Sequence, residues 1–144
     1  MNETQAPLVV YIRGQMLDDT DIASYVDRRV YDTWADKDSE MPYITFRLEN
    51  NYDPDGLIAR GTLYIDIWDY SQTQQRMLEI RGHILRLFDR QKVSLDGIRC
   101  ARFFLQTSGN IAEETQNIWH HALQFNVRYD RKVELQNIYG SDSE

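Results

Sequence analysis

The sequence predicts an α+β fold: an antiparallel, mainly four-stranded sheet with one central amphipathic helix packed on it and helices at the N-terminus. Three observations predict it. Four segments rich in aromatic and β-branched residues read as strands, namely 42–50 (PYITFRLEN), 61–70 (GTLYIDIWDY), 98–106 (IRCARFFLQ) and 118–129 (IWHHALQFNVRY). One strongly helical period stands between the second and the third. Polar, turn-forming segments separate the strands of each pair, so the order reads as two helices, hairpin, helix, hairpin. With 144 residues the chain fits a single core, placed over residues 1–131, and residues 132–144 read as a C-terminal tail whose last five residues are expected to be mobile.

Each element has its own warrant. Leu8, Val9, Tyr11, Ile12, Gln15 and Met16 recur at intervals of three and four, which predicts an amphipathic helix beginning near Pro7. Asp18, Asp19 or Thr20 then offers an N-cap for a short helix through Val26, with Ile22, Tyr25 and Val26 inward. Val30 and Tyr31 suggest a brief strand before the acidic loop that follows Trp34 (ADKDSE). From Tyr43, one face carries Ile44, Phe46 and Leu48 and the other Tyr43, Thr45, Arg47 and Glu49. The turn formers of NNYDPDG lead to a second alternation, with Leu63, Ile65 and Ile67 opposite Thr62, Tyr64, Asp66 and Trp68.

Ser71 and Gln74 have capping-box spacing, so the central helix is expected to start there and run to about Arg90 on Met77, Ile80, Ile84, Leu87 and Phe88. Residues 92–97 read as a linker. The last two strands place Ala101, Phe103 and Leu105, then Trp119, Leu123, Phe125, Val127 and Tyr129, on apolar faces joined by a polar loop (TSGNIAEETQN).

Composition narrows the function. A net charge of −7 argues against a surface that grips nucleic acid by neutralising phosphates, which needs clustered Lys and Arg. No segment approaches the ~20 apolar residues of a membrane span, and the N-terminus lacks the pattern of a secretory signal, so the expected place of synthesis is the cytoplasm. The single cysteine, Cys100, has no partner for an intramolecular disulfide and reads as a core residue.

Chemical constellations are sparse. His120 and His121 are neighbours in a strand and point to opposite faces, and His83 stands by itself on a helix, so neither arrangement provides zinc-ligand spacing. Asp53, Asp55, Asp66 and Asp69 around the first hairpin invite a metal-dependent nuclease reading, yet Asp66 is followed by Ile67 and Trp68 where a water-positioning lysine is needed. The chain has no nucleophile elbow and no phosphate-cradling glycine loop. Tyr64, Trp68, Phe103 and Phe104 compare with base-stacking aromatics, but the acidic balance removes the cations that such surfaces use. The expectation is a protein without enzymatic activity, cofactor or metal.

RVYDTWADKDSEMPYITFRLENN (29–51), GTLYIDIWDYS (61–71) leading into a helix, and ALQFNVRYDR (122–131) together resemble the tail-terminator or tail-completion proteins of long-tailed phages and related prophages. That resemblance spans residues 8–131. It implies a small α+β subunit that forms a homo-hexameric ring at the head-proximal end of the virion tail. Such a ring stops tail-tube polymerisation, presents the joining surface for the head's neck proteins, and lets DNA pass without specific binding. Its implied partners are further copies of itself, the tail-tube protein and the connector or neck proteins, with assembly in the host cytoplasm and no membrane. A head-side neck or adaptor ring is the alternative. Interface candidates are the large groups in or beside the expected loops: Trp34, Tyr43, Tyr52, Ile58, Trp68, Ile111 and Tyr139.

Overall fold

Leu8, Ile12 and Met16 are fully buried along one stripe of α1 (Gln5–Asp18), and Ile22 and Val26 continue that stripe on α2 (Thr20–Val26). The computed structural model describes residues 5–52 and 58–131. Asp19 is the N-cap of α2: its Oδ1 accepts from the Ile22 N–H at 3.0 Å, as its position before an apolar period suggests. Tyr25, expected inward, is only half-buried because its hydroxyl reaches Glu79 at 3.0 Å.

Among the described residues the sheet has six strands rather than four, in the order β1-β2-β3-β6-β5-β4. Its strands are β1 (Val30–Asp32), β2 (Tyr43–Tyr52), β3 (Ile58–Tyr70), β4 (Lys92–Leu95), β5 (Ile98–Ile111) and β6 (Ile118–Arg131). Neighbours are antiparallel except β1 and β2, which run parallel. The brief strand at Val30 and Tyr31 is therefore present, whereas the expected linker at 92–97 contains β4, the outer strand on the opposite side. Four residues of mixed polarity carry too little alternation to announce a strand; pairing of Lys92 with Arg102 and Val93 with Ala101 creates it.

Both hairpins are longer than the alternation implied. β2 and β3 pair from Tyr43↔Trp68 to Tyr52↔Ala59, so Asn50 and Arg60 lie in strands and not in the connecting loop. β5 runs on through Thr107, Ser108, Gly109 and Asn110, which pair with β6 despite their polarity, after a register shift between Leu105 and Thr107. Gly61 is needed where β2 and β3 approach: a Cβ there would stand 2.6 Å from the Glu49 carbonyl oxygen. The two hairpins point to opposite ends of the sheet, since Tyr70 pairs with Ile118 and Ile58 with Asp130.

The three helices of the described residues lie on one face of the sheet. Helix α3 (Gln75–Phe88) buries Met77, Ile80, Ile84 and Phe88, as its period predicts, while Leu87, also expected inward, is only half-buried. They meet a sheet face built from Ile44, Phe46, Leu63, Ile65, Ile67, Ala101, Phe103, Leu123, Phe125, Val127 and Tyr129. Burying each such large apolar group stabilises by about 1.5–3 kcal/mol, so this one cluster dominates the fold. The capping box expected at Ser71 does not form. Gln74 is the N-cap, without a side-chain bond, because Ser71 is held elsewhere: its N–H donates to Asn117 O at 2.9 Å, and its carbonyl accepts from Trp119 Nε1 at 2.9 Å. Cys100 also departs from expectation. It is half-buried, because a register shift between Ile98 and Cys100 turns it away from the core row.

Candidate interaction surfaces

The face of the sheet away from the helices is organised as transverse rows, each contributed by several strands at one register level. At the level where β2 begins, Tyr43 pairs with Trp68, Trp68 with His120 and His120 with Ile111. The rings are in contact: Tyr31 lies edge-on to Tyr43 at 6.0 Å, Tyr43 stacks with Trp68 at 6.1 Å, and Trp68 stacks on His120 at 3.6 Å. Asp66 and Glu113 contact the two nitrogens of His120, at 2.8 and 3.2 Å. Burial pushes the His120 pKa down, but bonds and charge from both carboxylates outweigh it and hold the imidazole above its ordinary value. The Trp68 indole N–H is buried and has no hydrogen-bond partner among the described residues.

A second row lies eight residues along β3, about 27 Å away at the usual rise per residue. There Arg60 pairs with Arg128, Arg128 with Arg102 and Arg102 with Lys92. Four exposed cations thus stand side by side on β3, β6, β5 and β4. Among the described residues none of them makes an ion pair. A small hollow beside them is lined by Ile58, Cys100, Arg102, Arg128 and Asp130.

The sequence-based candidates fall into different settings. Trp34 is 83% exposed in the bend after β1, the most open large hydrophobic group among the described residues. Tyr43 and Trp68 lie within strands and are half-buried in the aromatic row, and Ile111 ends the same row with 46% exposure. Ile58 begins β3 at the opposite end of the sheet. The Tyr52 side chain and Tyr139 lie outside the described residues. Exposed Val10, Tyr70, Leu78 and Phe104 were not among the candidates, nor was the cationic row. Phe104 carried a signal, its apolar neighbour Phe103 being bound to face the other way; the row had none, because register decides it.

The carboxylates that suggested metal chemistry are engaged differently. Asp69 is fully buried and accepts from Arg76 at 2.9 and 2.6 Å, while Asp66 serves His120. Asp53 and Asp55 lie outside the described residues.

The α+β subunit thus has one helix-covered sheet face, one open face with ordered rows, and long hairpins at both ends. Residues 10–130 match the family model for tail completion protein gp17, and the chain belongs to that family of phage tail proteins. The fold is similar to that of a chain from the virion of a native gene transfer agent particle, with 14% sequence identity and a TM-score of 0.76 over 90% of this chain and 99% of that one. None of the curated proteins matches the sequence significantly. The protein is accordingly a structural, tail-related virion protein.

Proposed function

We propose that the protein forms a ring that caps the phage tail tube, ends tube polymerisation and presents the surface on which the head is joined. The observation that carries this reading is the family match across residues 10–130. The open sheet face and the exposed Trp34 loop support it, because a ring requires two different surfaces on each subunit that meet head to tail and close. In this reading the ring is a hexamer at the head-proximal end of the tail. Its partners are the tail-tube protein on one side and neck proteins on the other, and DNA crosses its lumen without specific contacts. The subunit's acidic balance suits a conduit that must not hold phosphates.

Native mass measurement of the purified protein, alone and with tail-tube protein, tests the proposal. A closed oligomer that binds tube ends and limits tube length is expected. A protein that stays monomeric under every condition, binds no tubes and leaves their length unregulated would overturn it.

A further inference from the structure

We propose that the cationic row Lys92–Arg102–Arg128–Arg60 is the subunit's docking surface for the acidic, Trp34-bearing loop of a second copy of this chain. The proposal rests on the ring reading above and names the contact that closes it.

The first argument is energetic. Like charges placed directly opposite each other across strands are destabilising, and here three such pairs occur in succession: Arg60↔Arg128, Arg128↔Arg102 and Arg102↔Lys92. The chain carries 23 Asp and Glu against 16 Lys and Arg, so acids to offset the row are plentiful. None is placed within ion-pair distance of it among the described residues. Even Asp130, which lines the adjoining hollow with Arg102 and Arg128, forms no pair with either. Among the described residues this repulsion is not offset, and an acidic segment of a second copy would remove it.

The second argument identifies that segment. The end of β1 and the loop after it expose Asp32, Asp36, Asp38 and Glu40, with only Lys37 to offset them, and none of these acids is in an ion pair among the described residues. The same loop carries Trp34; Trp and Arg are both enriched at interface hot spots, and a guanidinium can lie over an indole face. Phe104, 47% exposed on the row's own face next to Arg102, adds an apolar contact for Trp34. Because β1 and β4 are the two outer strands, loop and row lie toward opposite sides of one subunit. Their contact is heterologous, the kind that propagates from copy to copy until it closes.

Two surface variants test this: Arg102→Glu with Arg128→Glu on the row, and Asp36→Lys with Asp38→Lys on the loop. Each variant is expected to weaken self-assembly about tenfold or more in sedimentation measurements. An equimolar mixture of the two is expected to assemble again, with copies alternating, since each then offers its neighbour a complementary surface. A milder pair, Arg102→Gln with Arg128→Gln, should weaken assembly while leaving the subunit at least as resistant to heat as the wild type, which separates docking from folding. The proposal is overturned if either reversal leaves the wild-type oligomer intact, or if the mixture is not rescued. It is also overturned if the row variant alters only binding of a labelled DNA oligonucleotide, which would make nucleic acid the occupant. A wild type that never assembles removes the ring reading and this contact with it.

Discussion

Asp69 shows how far a single carboxylate can be committed to structure. It has no exposure, receives both Arg76 bonds and accepts from the Tyr70 N–H at 2.8 Å. Arg76→Ala should cost about 2 kcal/mol in urea unfolding, less than a fully buried pair because the Arg76 side chain is 41% exposed. A loss below about 0.5 kcal/mol would show that water already screens the pair. The adjacent histidines respond to pH in opposite senses. A histidine held above its ordinary pKa, as His120 is, stabilises fully below the unfolded value of about 6.5 and loses that contribution as pH rises through its folded pKa. His121 is held below its ordinary value by burial first, then by the charges of Arg81 and His120, so it costs stability as pH falls through the same unfolded value. His120→Gln should therefore lower stability more near about pH 6 than near about pH 9. Equal losses at the two pH values would contradict this assignment.

At the scale of the element, α3 is where periodicity and structure agree most closely. Ile84→Ala removes a fully buried side chain and should cost about 2–5 kcal/mol, whereas Leu78→Ala, at a position 40% exposed, should stay within about 0.5 kcal/mol. Comparable losses at both sites in chemical denaturation would mean that the helix is not seated on the face described. Sequence places its start at Ser71 because a capping box is a local pattern, whereas the competing claims on Ser71 come from Asn117 and Trp119, more than 40 residues away. The same reason hides β4 and the outer half of β5. Their residues are too polar or too few to alternate, and partners in β5 and β6 recruit them.

For the whole molecule, the division between a helix-covered face and an open face separates stability from association. Trp34→Ala should leave subunit unfolding unchanged within about 0.5 kcal/mol, because an exposed side chain has little packing to lose. It should nevertheless shift the self-association equilibrium toward monomers in sedimentation measurements. Unchanged association would remove Trp34 from the interface. The family assignment and the candidate surfaces meet at this scale, since a tail subunit works through its contacts.

By itself the sequence determined the α+β class, most of the inward residues of β2, β3, β5, β6 and α3 (Leu87, Leu105 and Trp119 are only half-buried), and the resemblance to tail-completion proteins. Those follow from local periodicity, which depends only on which residues are apolar and how they are spaced. Tertiary structure decided the sheet's two extra outer strands, the withdrawal of Tyr43 and Trp68 into an aromatic row, and the alignment of Arg60, Arg128, Arg102 and Lys92. Register between distant strands sets each of these, and a shift of one residue in any pairing would send those side chains to the other face.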